Sequence, residues 1–299
     1  MPQFTRYESV VNDPSGRNEA RKCLKKYFFT RVLGFRAPGN NIAMYFGTCY
    51  HKFREVIERE YMENKELAAD DLFDHCLRIG MIIVEKMWKG DPPLDTKFDF
   101  LTKTRLQKSC MLAWTRWKEE KRKGQVEVIA PEQAFDLFFK DGKTRSGGKI
   151  DQVIRMISKP WIKDFKASSK NEVWYQRLTN PSDQFSAYIW AGGKLIGEDI
   201  YGLKVEVLHN TKKEGPSIYE LTTTRTTSQL ERWENDQILL EEIISLCREK
   251  DVWPENSQQC PWCEFHMVCQ MPTMASQAAK LQSGFRQEPW DFKKVEDIV

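Results

Sequence analysis

The stretch that decides the fold reads GGKIDQVI over residues 147–154 and WIKDFK over residues 161–166. Polar and apolar side chains alternate in both segments, which predicts two β-strands, because successive strand side chains point to opposite faces. Asp164 and Lys166 therefore share one face, and an adjacent strand can bring Asp151 beside Asp164. Two carboxylates bind a hard divalent cation, and a nearby ammonium can steer a water or stabilise negative charge. The pattern predicts a metal site on this sheet.

The overall composition bounds the class of protein without identifying a partner. The chain has 299 residues, enough for one large domain or two small ones with a buried core. Its 46 basic and 43 acidic residues give a net charge of +3, which is too small to indicate a nucleic-acid partner. Basic residues do crowd one predicted helix that also carries Trp114 and Trp117, namely Lys103, Arg105, Lys108, Arg116, Lys118, Lys121, Arg122 and Lys123. This pattern is typical of a helix lining a DNA channel, and equally of a solvated helix face.

The sequence lacks the apolar segments that indicate membrane insertion or secretion. It contains no run near the roughly 18 apolar residues that a membrane span needs, and its first residues, MPQFTR, lack the apolar core of a signal peptide. We therefore expect a cytoplasmic protein with no membrane partner, in which thiols stay reduced. Eight cysteines in that setting favour metal or cluster ligation over disulfides.

The hydrophobic spacing divides the chain into four segments of one compact domain. Residues 1–125 are predicted to be mostly helical and 126–225 to hold the sheet; 226–270 carry a long helix and a cysteine segment, and 271–299 a loose tail. The predicted strands span 126–130, 133–140, 149–157, 162–167, 201–209 and 217–224, with helices at 17–33 and 181–196 among others. This order predicts an α/β fold with a mixed central sheet flanked by helices. A doubly wound nucleotide-binding fold is disfavoured, because no phosphate-binding glycine loop precedes a helix.

Two further patterns accompany the acidic strands. GTCYH, residues 47–51, places His51 in a predicted helix, where a lone histidine is more often packed or exposed than a ligand. Gln184 and Tyr188 are four residues apart in another predicted helix, so they share a face. Packing of Tyr188 in the core and simple exposure of Gln184 would explain this second pattern equally well.

Cysteines form the third pattern. Cys260 and Cys263 flank a Pro-Trp pair, Cys269 follows six residues later, and Cys23 lies far upstream. A tetrahedral thiolate site takes four ligands, so the three clustered cysteines need a partner from elsewhere. Thiolate chemistry alone leaves iron–sulfur and zinc sites open, and His266 is an alternative ligand. The other cysteines fall on apolar helix faces and are predicted to be buried small side chains: Cys49, Cys76, Cys110 and Cys247.

Together these patterns resemble the PD-(D/E)XK nuclease superfamily, specifically its RecB/AddB-like branch with an iron–sulfur cluster. CRISPR-associated adaptation nucleases and several phage exonucleases belong to that branch. The resemblance covers roughly residues 17 to 270, and the patterns follow the family's order. It implies a PD-(D/E)XK nuclease core with an N-terminal helical region and a C-terminal cysteine cluster.

The resemblance assigns roles to the residues that match the family's motifs. Mg²⁺ or Mn²⁺ would be bound by His51, Asp151, Asp164 and the backbone carbonyl of Phe165. Lys166 would orient the attacking water, and Gln184 and Tyr188 would lie near it as groups that position the scissile phosphate. Glu132 lies where some relatives place another acid and is a weaker candidate. A structural 4Fe–4S cluster, with zinc as the alternative, would be held by Cys23, Cys260, Cys263 and Cys269.

The implied function is a metal-dependent DNA exonuclease of recombination, replication or repair, in a bacterial cell or a virus-infected host. Its partner would be DNA, either single-stranded or presenting an end. Alternatives are an endonuclease or CRISPR adaptation nuclease, a non-catalytic DNA-binding subunit of the same fold, and a zinc-stapled interaction module. The sequence carries no helicase motif, so any motor would come from a helicase or recombination partner.

Overall fold

The structure, a computed structural model, describes residues 4–7, 12–37, 42–88 and 98–289. These residues divide into two compact units. We call them the sheet unit, which comprises residues 42–134 and 149–226, and the terminal unit, which comprises the described residues up to 37 together with 135–148 and 227–289. The segment boundaries expected from the sequence at residues 125, 225 and 270 stay a prediction.

Helices and strands follow one another in runs along the described chain. The helices are α1 (Pro14–Lys22), α2 (Leu24–Tyr27, continued by a π-helical turn over Phe28–Val32), α3 (Ile42–Glu63), α4 (Ala69–Met87), α5 (Lys103–Lys123), α6 (Glu172–Thr179), α7 (Asp183–Ile196), α8 (Thr227–Lys250), α9 (His266–Cys269) and α10 (Met274–Gly284). The strands are β1 (Phe35–Arg36), β2 (Val126–Phe138), β3 (Arg145–Met156), β4 (Lys159–Ser168), β5 (Gly202–His209), β6 (Ser217–Thr223) and β7 (Arg286–Gln287).

A five-stranded mixed sheet within the described residues has the strand order β2-β3-β4-β5-β6. Strand β4 runs antiparallel to β3 and parallel to β5, and β5 runs antiparallel to β6. The parallel pair needs a crossover connection, which α6 and α7 supply between β4 and β5. The predicted α/β fold with a mixed central sheet flanked by helices is confirmed.

The core of the sheet unit explains why its helices stand where they do. Helices α3, α4 and α5 bury their apolar faces against one another and against Phe165 of β4 and Leu208 of β5. Trp117 of α5 meets the rings of Tyr61 and Phe73 edge to face, a preferred aromatic geometry. The cysteines Cys49, Cys76 and Cys110 lie buried in this cluster, as the apolar spacing predicted.

Helix ends follow local sequence signals. The Thr102 side chain accepts a hydrogen bond from the Arg105 amide at the start of α5, and Ser182 does the same for the Phe185 amide at the start of α7. Gly124 ends α5 with a φ of 62°, a left-handed conformation that glycine adopts without a Cβ clash. These caps fix where each helix begins or ends relative to the sheet.

Three stretches for which the sequence made a prediction differ from it. The helix expected over residues 17–33 breaks at Cys23, whose backbone is extended with a φ of −165°. Strand β2 continues through the expected break near Glu132, which takes a positive φ of 37°. The expected loose tail contains α10, which begins with a capping box between Thr273 and Ser276. Local hydrogen bonds and packing override weak patterning in that tail.

The terminal unit has its own core. Tyr27, Phe29, Phe265 and the side chains around them pack with Ala278 and Leu281 of α10, which accounts for the ordering of this helix. Cys247 of α8 is buried in the same cluster, as predicted. No helix in the described ranges is long and apolar enough to cross a membrane.

Candidate active site

Asp164 and Lys166 point from the same face of β4, as the strand alternation predicted. The Lys166 Nζ lies 2.9 Å from Asp164 Oδ1. Asp164 is fully buried, and its second oxygen, Oδ2, has no hydrogen-bond partner among the residues that the structure describes. A buried carboxylate oxygen without a partner is costly, and a cation is one kind of group that could satisfy it.

Asp151 is joined to both a helix and the neighbouring strand. Its Oδ2 lies 3.2 Å from the Nδ1 of His51 on α3. The same oxygen accepts a 2.7 Å hydrogen bond from the backbone amide of Phe165. Cys49, Tyr50 and the following turn of α3 are buried, and this anchoring directs His51 toward the sheet with a third of its side chain exposed.

The structure therefore brings His51, Asp151, Asp164 and Lys166 into one chain of contacts within the sheet unit. The antiparallel register pairs Gln152 with Lys163, which sets the preceding and following residues, Asp151 and Asp164, at adjacent positions. The sequence predicted this adjacency from the strand period together with the expectation that the two strands are neighbours.

Electrostatics separate the two acids. Burial opposes ionisation of Asp151, but attraction from His51 and Lys166 and the Phe165 amide outweigh it and lower the Asp151 pKa. Burial, together with repulsion from Asp151, raises the pKa of Asp164 to about 6 despite the neighbouring ammonium of Lys166. Burial also opposes the charge of Lys166, yet Asp164, Tyr188 and Asp151 hold its pKa above the usual value. The lysine is a fixed cation here.

Gln184 and Tyr188 share a face of α7, and Gln184 Nε2 donates a 2.9 Å hydrogen bond to the Tyr188 hydroxyl. Burial raises the pKa of Tyr188, and the charges of Lys166 and Asp164 also act on that hydroxyl. The tyrosine thus lies within electrostatic reach of the acidic pair.

Tyr175 of α6 is a site neighbour that the sequence analysis missed. Burial raises its pKa to about 12, and Lys166 and Asp164 again contribute. Most of α6 is exposed on all sides, so it has no apolar stripe from which its presence could be predicted. No strand alternation marks this segment in the sequence either.

Glu132 has partners beside the proposed ligands. It pairs with Lys149 at 2.8 Å, and burial together with the neighbouring Glu55 raises its pKa. Glu55 lies one helical turn beyond His51, and Lys149 lies two strand positions before Asp151. Glu132 therefore extends the same row of charged groups, and its role stays a prediction.

The proposed donor side chains suit a hard divalent cation, but in this structure they contact one another or Lys166. Within the described ranges, no group of three or more His, Cys, Asp or Glu side chains stands ready to hold a metal ion. His51 instead contacts Asp151, and Lys166 pairs with Asp164. The unpartnered Oδ2 of Asp164 is the feature of this structure that fits a cation best.

The four cysteines of the sequence pattern line one cavity of about 220 Å³ in the terminal unit. Lys22, Lys26 and His266 also line this cavity. Cys23 reaches it from the extended break after α1, and Cys260 and Cys263 bound a 3-10 turn. Cys269 ends α9, and burial raises the pKa of its thiol to about 12. The thiols surround the cavity without converging into a group ready to hold a metal.

His266 is engaged elsewhere. Its Nδ1 lies 2.8 Å from the carbonyl oxygen of Cys260, and its Nε2 lies 2.6 Å from the side-chain nitrogen of Gln270. Both ring nitrogens thus have partners. This geometry favours Cys23 over His266 as the fourth donor of a thiolate site.

The chain is similar to a known protein family and to solved structures. The sequence profile of the PD-(D/E)XK nuclease superfamily matches residues 14–270. A solved structure of a candidate exonuclease from Eubacterium rectale is similar to this chain, with a TM-score of 0.52 and 12% identity over 87% of this chain and 88% of that chain. At such identity the likeness supports the fold alone. The solved structure of SSO0001 is 14% identical over 72% of this chain and 94% of that chain, but its TM-score of 0.29 carries no argument. No curated protein matches the chain.

Proposed function

Because this chain belongs to the PD-(D/E)XK nuclease superfamily, we propose that it is a metal-dependent deoxyribonuclease that acts as an exonuclease on single-stranded DNA or on a DNA end. The observation that carries the proposal is the buried, unpartnered Oδ2 of Asp164 beside Asp151, with Lys166 fixed as a cation next to both. In a purely structural site, this oxygen would accept a hydrogen bond from another group of the protein. A site that binds a cation keeps one carboxylate oxygen free for it.

His51, Asp151, Asp164 and the carbonyl of Phe165 would hold Mg²⁺ or Mn²⁺. A bound ion of this kind lowers the pKa of a coordinated water and neutralises charge on a phosphate. Asp151 already fixes the Phe165 peptide through its amide, so this carbonyl is held in place before any ligand arrives.

Lys166 would act on the reacting groups directly. Its ammonium is charged at neutral pH and held by Asp164 at 2.9 Å. Lys166 would orient the attacking water and stabilise charge on the phosphate, while Asp164 would be one of the residues that hold the cation. Tyr188, held by Gln184, would then position the phosphate beside the lysine.

The four thiols around the terminal cavity support a structural 4Fe–4S cluster held by Cys23, Cys260, Cys263 and Cys269. Such a cluster would link the start of the chain to its last third and restrict the unfolded state. Zinc is the alternative occupant of four thiolates. The proposed setting is the cytoplasm of a bacterial cell or a virus-infected host, with a helicase or recombination protein as a further partner.

The deciding experiment incubates end-labelled single-stranded, double-stranded and circular DNA with the full chain in Mg²⁺, Mn²⁺ or EDTA. We expect stepwise products from linear DNA, loss of activity in EDTA, and intact circles. Cleavage of circles would indicate an endonuclease. Binding of DNA with no cleavage under any metal would indicate the non-catalytic subunit, and neither binding nor cleavage would overturn the proposal.

A further inference from the structure

A second cavity lies at the end of β4, on the strand that carries Asp164 and Lys166. It has a volume of about 210 Å³, below the roughly 300–1,000 Å³ of sites for drug-sized ligands. Most of its wall is apolar and aromatic, and its lining comprises Ala43, Phe46, Phe98, Phe100, Leu101, residues 167–170 and Asn210. A single flat ring system suits this size and lining.

Asn210 is the polar side chain in this cavity that suggests a bound ligand. Its side chain is 3% exposed, and neither its amide oxygen nor its amide nitrogen has a hydrogen-bond partner in the described part of the chain. Its backbone amide donates to the Ser168 carbonyl at 2.9 Å, which fixes the residue at the end of the sheet. Buried amides without partners are rare because the loss of water is not repaid.

The donor and acceptor of one amide lie side by side, so they fit a ligand whose edge offers the complementary pair. Nucleobase edges do so, and asparagine forms a two-bond contact of this kind with adenine. The rings of Phe46, Phe98 and Phe100 supply the apolar, aromatic surface on which bases stack.

Charge around the cavity matches the strand that would carry such a base. Lys170 lines the cavity. Arg105 lies over the Phe100 ring and donates to the Thr211 carbonyl, next to Asn210. Cations beside an aromatic cavity are the arrangement that single-stranded nucleic acid recognises.

The cavity is also close to the proposed chemistry along the strand. Ser168 lines it and lies two positions after Lys166 on the same strand, where alternate side chains share a face and two residues advance the chain by about 7 Å. We propose that this cavity binds one unstacked nucleobase of a single-stranded nucleic acid next to the scissile phosphate, with Asn210 contacting the base edge. The proposal rests on the proposed nuclease function for the identity of the strand.

The melting temperature of Asn210→Leu tests whether the Asn210 amide is kept for a ligand. If the amide is kept for a ligand, an apolar side chain of similar size removes an unsatisfied buried group, and the variant should melt at or above the wild-type temperature. Asn12 provides the matched control, because it is also 3% exposed. Its side chain, however, accepts from the Tyr27 hydroxyl and donates to Glu241. Asn12→Leu should melt lower and leave strand binding unchanged.

The test measures the anisotropy of fluorescent single-stranded oligonucleotides in EDTA, which prevents cleavage, and moves one abasic position along the strand. Wild type should lose about tenfold in affinity at one abasic position, and Asn210→Leu should lose about tenfold on the intact strand but little on the abasic one. Ala43→Phe, which fills the cavity, should bind intact and abasic strands equally.

Each outcome decides between the two proposals. Wild-type cleavage with no abasic effect, or with normal binding by Asn210→Leu, overturns the base cavity and leaves the nuclease proposal intact. A lower melting temperature for Asn210→Leu also overturns it, because the amide is then satisfied within the protein or by water. Wild type that neither cleaves nor binds any strand overturns both.

Discussion

Lys166 and Asp164 form an ion pair, 2.9 Å from Nζ to Oδ1, between residues two positions apart on one strand. The pair occupies one carboxylate oxygen and leaves the other buried and without a partner in the described residues. An isolated structural ion pair gains from satisfying both oxygens, since a half-satisfied buried charge is costly. The cation proposed for this site would bind the remaining oxygen of Asp164.

Lys166→Met tests this arrangement. We expect turnover to fall by about 10²- to 10³-fold, the usual effect of removing one group that stabilises transition-state charge, while the chain still folds. Lys194→Met on α7 is the control, because Lys194 is exposed. Single-turnover cleavage of a labelled strand and a circular-dichroism melt measure the two effects. Undiminished cleavage by Lys166→Met would remove the lysine from the active site.

The sequence predicted the strands of the site because their side chains obey a period of two that few other structures share. Asp151 beside Asp164 followed from that period once the strands were taken as neighbours, and the register with Gln152 opposite Lys163 agrees. His51, Gln184 and Tyr188 came from a resemblance, since no local pattern says that separate helices converge.

The parts that sequence could not predict depend on tertiary contacts or on exposed segments. Helix α6 is exposed along most of its length, so neither an apolar stripe nor a strand alternation revealed it, and Tyr175 was missed with it. The break at Cys23 interrupts a regular helical pattern. Asn210 gave no signal, because an asparagine at the end of a strand is ordinarily a turn residue.

Cys263→Ser tests the cluster proposed for the terminal unit. We expect the brown colour and visible absorbance of protein purified without oxygen to be lost, iron content to fall, and the melting temperature to drop, because three ligands hold a cluster poorly. Cys247→Ser is the control, since Cys247 is buried in the same unit's apolar cluster; it should lose stability and keep the colour. Colourless wild type that contains zinc would replace the iron–sulfur assignment with a zinc site.

Substitution of Glu206 tests the buried ion pairs next to the active-site strand. It is fully buried, 3.4 Å from Arg54 and 3.6 Å from Lys163. Glu206→Gln removes the carboxylate that pairs with buried Arg54, while Lys163 keeps its 2.8 Å pair with Glu120, so unfolding free energy should fall by about 3 kcal/mol. The control is Glu198→Gln, whose solvent-exposed pair with Arg155 should leave the unfolding free energy nearly unchanged. Urea titrations measure both, and equal losses would show that burial does not set the strength of the network.

Two helical glycines should respond to alanine with opposite signs. A Cβ on Gly80 of α4 would lie 2.8 Å from side-chain carbons of Ile57 and Phe53 on α3, whereas one on Gly47 meets no described atom within 4 Å. Alanine favours a helix over glycine by about 1 kcal/mol, so Gly47→Ala should raise the unfolding free energy by up to that amount.

At Gly80 the same gain is opposed by overpacking, which costs about 1–3 kcal/mol. The net result should be a loss, because neither the Phe53 ring nor Ile57 has free space in the core between α3 and α4. Paired urea titrations give both signs in one experiment. A stabilised Gly80→Ala would mean that the two helices separate readily, and that their close approach is not what holds His51 on α3 in place.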